Sequence, residues 1–176
     1  EASGKKIALS NIKNLKVFIS QRNFFDKKKL SLESVKIDNA NFSLDRDDFK
    51  LLNKSSNKKF SNKIIKINES NIFFSDRSTE VINIIKISKA FLFLDDENLI
   101  NLLNLKGEVF NVPFSFNFKK KFDASEIREI NIIAKSLKLN ILDTYDFNEK
   151  INDKYSGRNT ISFLKSIIKT KYKIED

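Results

Sequence analysis

Two stretches thirty residues apart constrain this chain more than anything else in it. Lys36-Ile37-Asp38-Asn39-Ala40-Asn41-Phe42-Ser43-Leu44-Asp45-Arg46 is echoed, loosely, by Lys66-Ile67-Asn68-Glu69-Ser70-Asn71-Ile72-Phe73-Phe74-Ser75-Asp76-Arg77. The later copy carries one extra residue before its Asp-Arg. A third echo without the Asp-Arg follows at Lys86-Ile87-Ser88-Lys89-Ala90-Phe91-Leu92-Phe93-Leu94-Asp95. Near-repeats at this spacing predict modules stacked edge to edge rather than one closed globule. Apolar residues at every second position make each module a β-strand.

The alternation extends along most of the chain. Ile7 to Ile19 reads as a strand, and Gln21 to Lys29 as a turn presenting Phe24-Phe25 beside lysines. Leu30 and Leu32 alternate, the parity shifts at Glu33-Ser34, and Val35 and Ile37 resume, which predicts a β-bulge. Arg46 to Asn62 is polar and reads as a loop, with one helical turn at Phe49, Leu51 and Leu52. Asp76-Arg77-Ser78 predicts a turn that returns Ile82-Ile84 and Ile85-Ile87 antiparallel. Leu99 to Leu105 suits a short helix capped by Asp95 or Asp96, or a strand, which is favoured. Gly107 to Pro113 reads as a hairpin leading into Phe114, Phe116 and Phe118, the cleanest alternation present. Ile130-Ile132 with Leu137-Leu139-Ile141 is expected to form the next strand. Asp143 to Gly157 is expected to form a long polar loop, and Ile161-Phe163 and Tyr172-Ile174 further strands. With Gly 3 and Pro 1, long strands and polar connections are expected rather than a tight multi-hairpin globule.

Composition narrows the chemistry. The chain lacks Cys, which removes disulfides and thiolate metal sites, and lacks His, the commonest general base. No catalytic or metal motif stands out, and no cofactor is implied. Asp95-Asp96-Glu97 and Asp45-Arg46-Asp47-Asp48 are the best carboxylate clusters, and both read as turns. The charge of +10 is spread along the chain, with Lys27-Lys28-Lys29 and Lys119-Lys120-Lys121 as its only short clusters. We read it as solvated faces and protected strand edges. A nucleic-acid binder would need aromatic residues beside lysine on the solvated face, whereas here Phe shares its parity with Ile and Leu. The chain has no Met, so a fragment excised from a longer repetitive protein is expected, residues 1–176 forming a single segment, with any anchor outside it.

Phe counts 17, many at alternating positions, so one sheet face is strongly apolar and must be covered. No helix candidate is long enough to do so. The face is therefore either packed against a second part of the sheet or held open around an apolar ligand.

The order of motifs runs from a Leu-x-Leu-x-x-Val-x-Ile strand and Ala-Asn-Phe-Ser-Leu-Asp-Arg to Ile-x-Ile-x-x-Ser-x-Ile-x-Phe-x-Asp. It ends in the hairpin of Leu105, Gly107 and Pro113 and the Phe114–Phe118 strand. Over Ile7 to Phe118 this resembles the N-terminal region of the AsmA family of periplasmic β-groove proteins. The resemblance implies a mainly β fold: a repetitive, long, curved antiparallel sheet forming an open groove with an apolar inner face and little helix. It implies a periplasmic protein anchored to the inner membrane of a Gram-negative bacterium, carrying phospholipid between inner and outer membrane for outer-membrane biogenesis. It implies no enzyme activity. The expected partners are phospholipid acyl chains and, through the anchor, a membrane, with no nucleic acid. The expected contact residues are Phe42, Leu44, Ile72, Phe74, Phe91, Phe93, Phe114, Phe116 and Phe118, extended by Leu137, Leu139 and Ile141. The alternative is a structural assembly module with a closed β-sandwich core.

Overall fold

A computed structural model describes residues 9–20, 31–45, 47–48, 58–76, 80–123, 126–151 and 154–174. The expected turn with Phe24-Phe25 and the helical turn at Phe49 to Leu52 lie outside those residues. The chain forms β1 (Leu9–Ile19), β2 (Leu32–Leu44), β3 (Ile64–Ser75), β4 (Val81–Asp95) and β5 (Ile100–Val109). It continues with β6 (Val112–Lys121), β7 (Ile127–Ala134), β8 (Leu139–Ile151), β9 (Lys154–Phe163) and β10 (Ser166–Ile174). All ten join one sheet in chain order, and β1 does not meet β10, so the sheet is open and curved rather than a barrel or a sandwich. Every neighbouring pair is antiparallel except β2 and β3.

That exception is the repeat itself. β2 and β3 lie parallel with Lys36 opposite Lys66, Ile37 opposite Ile67 and Phe42 opposite Ile72, so equivalent residues of the two copies face each other. Their side chains lock the register. Asn68 Nδ2 donates to Asp38 Oδ1 at 2.8 Å, and Asn71 Nδ2 to Asn41 Oδ1 at 3.1 Å. The first of these bonds, with Lys36 alongside, holds the Asp38 carboxyl below the usual carboxylate range. Asn39 and Glu69 both take left-handed backbone, with φ 56 and 44. Beside them the buried Ser70 hydroxyl accepts the Ala40 N–H at 3.0 Å and donates to the Asn68 carbonyl at 2.7 Å. The duplication thus carries its own kink.

The bulge predicted at Glu33 is present: Phe18 pairs with Ser34 and Ile19 with Leu32, leaving Glu33 over. The row of kinks at Asn39 and Glu69 continues on β4, where Ser88 is the extra residue between Ile87 (opposite Gly107) and Lys89 (opposite Lys106). Each kink reverses which face its strand presents next. Twist and bulges together curl the sheet.

Four expectations need correction. Ile130-Ile132 and Leu137-Leu139-Ile141 do not share a strand: β7 ends at Ala134, and Lys135–Leu137 is a 3-10 turn before β8. Asp143 to Gly157 is not a loop, since β8 runs to Ile151 and β9 starts at Lys154. At Asp143, Thr144 and Asp146 polar residues occupy both faces and erase the alternation that marks a strand. Tight hairpins also form without glycine: Phe110 and Asn111 (φ 50 and 61) turn β5 into β6, and Leu164 (φ 54) helps turn β9 into β10. Gly107 and Pro113 sit inside the flanking strands. Finally, among the described residues there is no second sheet to make a sandwich core.

Candidate functional site: an uncovered apolar face

Residues directly paired across a sheet point to the same face, so the registers assign every described strand position. One face carries Val35, Ile37, Phe42 and Leu44 on β2, then Ile65, Ile67, Ile72 and Phe74 on β3. It continues through Ile85, Ile87, Leu92 and Leu94 on β4 and Leu103, Leu105 and Val109 on β5. Phe114, Phe116 and Phe118 on β6 lead to Ile130 and Ile132 on β7 and to Leu139 and Ile141 on β8. Ile161 and Phe163 on β9 and Ile168 on β10 complete it. This face is apolar from one sheet edge to the other.

Little covers it. At the centre Phe118 is 5% exposed, but Leu15 on β1 and Ile168 on β10 are each 57% exposed. Most of the residues between them are half-buried. The single cover among the described residues is the end of the β2–β3 crossover. Asn101, fully buried on the apolar face, accepts the Phe60 N–H at 2.8 Å and donates through Nδ2 to the Lys58 carbonyl at 2.7 Å. The Leu94 N–H donates to the Ser61 carbonyl at 2.8 Å. These bonds bring the Phe60 ring to 6.1 Å from that of Phe118. An asparagine on an apolar face is thus a strap for a loop, not a ligand.

Of the twelve residues expected to form the site, nine stand on this face: Phe42, Leu44, Ile72, Phe74, Phe114, Phe116, Phe118, Leu139 and Ile141. Leu137 does not, because it lies in the 3-10 turn and is exposed. Phe91 and Phe93 stand on the opposite face, since Phe91 pairs with Lys66 and Asn104, and Phe93 with Leu102. Their rings stack there, 6.3 Å apart. The Ser88 bulge is the cause: past it, Ala90, Leu92 and Leu94 take the apolar face. Aligning the third echo with the first at Ala40 and Ala90 exposes this in the sequence. Leu92 and Leu94 then match Phe42 and Leu44, and Phe91 and Phe93 match the outward Asn41 and Ser43.

At one strand end the same face turns polar across β6 to β10. Lys120, Arg128, Tyr145, Gly157 and Tyr172 form one cross-strand row. Lys120 is buried, and burial pulls its ammonium pKa down, with Glu126 nearby acting against that and Arg128 adding to it. Its Nζ lies 5.2 Å from the centre of the Phe122 ring. The Arg128 guanidinium sits 4.8 Å from the centre of the buried Tyr145 ring, a cation–π arrangement. Tyr172 reaches across β9 and donates its hydroxyl to Asp143 Oδ1 at 2.7 Å. Burial, then this bond to a carboxylate, push the Tyr172 hydroxyl up to about 12. Gly157 lies beneath the ring, and a Cβ there would force the Tyr172 ring to move aside. In the next row, Asn159 Oδ1 is shielded from solvent without a hydrogen-bond partner among the described residues. Sequence alternation misses this row, because polar residues on an apolar face read as a loop.

The carboxylate clusters are turn-builders. Asp45 Oδ1 accepts the N–H groups of Asp47 and Asp48, and Asp48 Oδ2 accepts that of Asp45. Asp95 Oδ1 accepts those of Glu97 and Asn98. No group of three or more His, Cys, Asp or Glu that could hold a metal ion occurs among the described residues. No family model, curated protein or solved structure matches this chain.

Proposed function

We propose that this chain binds phospholipid acyl chains along its apolar face, as one segment of a bridge-like groove that passes lipid between inner and outer membrane. The observation that carries the reading is the continuity of that face over ten strands, with only the crossover end at Asn101 and Phe60 packed upon it among the described residues. Apolar surface on this scale needs an apolar partner. An acyl chain laid on it gains about 0.8 kcal/mol per methylene removed from water. Neighbouring positions offer Ile, Leu or Phe alike, so a chain slides between them against small barriers. The Arg128 guanidinium in the polar row suits a lipid phosphate, and Asn159 Oδ1 in the next row, an acceptor, suits a headgroup N–H. No catalytic group is needed, and the protein acts as a non-enzymatic conduit. The resemblance to the AsmA family motivates a periplasmic location at the inner membrane of a Gram-negative bacterium, and a part in outer-membrane biogenesis.

The test is lipid extraction and native mass spectrometry of protein purified from bacteria, comparing Phe116→Asp with Phe93→Asp. Phospholipid that co-purifies with wild type and with Phe93→Asp, and is lost from a folded Phe116→Asp, supports the groove. Lipid-free wild type, or equal loss from both variants, overturns it.

A second reading rests on the opposite face. Lys16, Lys36 and Lys66 occupy one cross-strand row that continues to Phe91. Like charges directly opposite one another are unfavourable, and aromatic residues beside lysine suit single-stranded nucleic acid. Affinity for oligothymidylate at physiological salt, abolished by Phe91→Ala, would establish this reading. The groove account predicts none.

A further inference from the structure

Tight hairpin turns need backbone with φ above zero, which Asn and Gly adopt readily and bulky side chains poorly. In the β5–β10 meander two such positions hold Phe110 and Leu164, with φ 50 and 54. Phe110 is 77% exposed and Leu164 63%. Between them in chain order, the 3-10 turn presents Leu137, 43% exposed, flanked by exposed Lys135 and Lys138, and Lys165 follows Leu164. All three turns lie at one rim of the sheet, since β5, β7 and β9 run toward it and β6, β8 and β10 run away. The Leu164 N–H donates to the Lys138 carbonyl at 3.2 Å, tying two of the tips together.

The other rim of the same meander is built differently. Its β4–β5 turn is Asp95-Asp96-Glu97-Asn98, and its β6–β7 connection carries Asp123 and Glu126. The turns of one rim therefore carry apolar tips flanked by lysines, while those of the other carry carboxylates, beside Lys120, Lys121 and Arg128 at the adjoining strand ends. Of the carboxylates at the first rim, Asp76 and Glu80 belong to the β3–β4 turn, and Glu108, two residues before Phe110, pairs with Lys86 Nζ at 2.8 Å.

We propose that the Phe110, Leu137 and Leu164 tips dock this rim onto an anionic lipid bilayer. The three apolar tips enter the headgroup boundary, and Lys135, Lys138 and Lys165 lie against lipid phosphates. Charge complementarity selects this occupant: three lysines flank two of the tips, and an anionic leaflet attracts each. The tips stand on separate turns in a row rather than in one flat patch, which suits a fluid interface. The left-handed backbone adds weight, because a turn selected for stability alone would carry Asn-Gly where Phe110 and Leu164 stand.

The test is flotation of the folded protein with vesicles of phosphatidylcholine alone or mixed with phosphatidylglycerol. Wild type should float with the mixed vesicles and release as salt rises. Exchanging Lys135, Lys138 and Lys165 for Gln should weaken partition about fivefold per lysine. Phe110→Asn with Leu164→Gly should weaken it at least about tenfold while melting no lower than wild type. Lys119→Gln with Lys171→Gln, on the sheet's opposite face, should change nothing. Tip variants that float like wild type, or a wild type that ignores phosphatidylglycerol, overturn the proposal. So does self-association without vesicles that the tip variants abolish, which would make a second copy the occupant. Because the tips lie outside the groove, lipid co-purification should persist in every tip variant, whichever way flotation turns out.

Discussion

Phe116 and Phe93 sit in similar alternating runs of Phe and neighbouring apolar or polar residues, yet they stand on opposite faces of one sheet. Phe116 lies in an apolar field that crosses all ten strands. Phe93 stacks on Phe91 and pairs with Leu102, while Phe91 pairs with Lys66 and Asn104. Residue type does not separate them; register does. Across β2 to β4, a row of kinks at Asn39, Glu69 and Ser88 resets which parity faces inward. The meander from β5 onward lacks such a reset in its described pairings until the shift near the end of β8. Its inner face can be read by simple alternation within each strand from Leu103 to Ile141, and again at Ile161 and Phe163, whereas that of β2 to β4 cannot.

The strongest way to break this contrast is at Gly107, opposite the Ser88 bulge. A Cβ there would lie 2.4 Å from the Lys86 carbonyl oxygen, a backbone atom with little freedom to retreat. Gly107→Ala should destabilise the protein by about 3 kcal/mol, read as a lower urea midpoint. It should also loosen the pairing that sends Phe91 and Phe93 outward, seen as faster hydrogen exchange on β4. A midpoint equal to wild type would show that the bulge does not depend on that glycine.

Next in size is Asn101, the polar residue that straps the crossover onto the apolar face. Asn101→Leu leaves the Phe60 N–H and the Lys58 carbonyl without their partner and should cost about 2 kcal/mol. Because it frees apolar surface near Phe118, it should raise binding of a hydrophobic dye rather than lower it. Unchanged dye binding would mean that the strap covers nothing that matters.

The smallest effect is expected in the polar row. Tyr172→Phe removes the bond to Asp143 and should cost about 1 kcal/mol at neutral pH. The folded hydroxyl titrates at about 12, above its ordinary value of 10.0. It therefore contributes stability that is complete below pH 10.0 and is lost as pH rises through 12. Thermal melts of wild type should fall across that window, and those of Tyr172→Phe should fall less.

These particulars show what the amino-acid sequence reveals and what it hides. The thirty-residue echo, the antiparallel return of β4, the Glu33 bulge and the strand at Ile100–Val109 follow from periodicity and turn residues. Hidden are kinks whose residues look ordinary: Glu69 and Ser88 carry no sign of a reversal, so parity counted from one end of a strand fails at the other. Hidden too is the Leu164-Lys165 turn, where glycine would announce a hairpin and leucine does not; the Phe110-Asn111 turn falls within the hairpin expected over Gly107 to Pro113. The Asp143–Gly157 stretch is concealed by its own function in the fold, since a strand that is polar on both faces has no hydrophobic period to show.

The central claim, that lipid lies on one face of this sheet, is tested most directly by photocrosslinking. The folded protein would be loaded with phospholipid carrying a diazirine midway along an acyl chain, irradiated, and the adducts mapped by mass spectrometry. The account predicts adducts on apolar-face residues such as Phe114, Phe116, Ile130 and Ile132, and none on Phe91 or Phe93. Adducts spread evenly over both faces, or concentrated on Phe91 and Phe93, would contradict it.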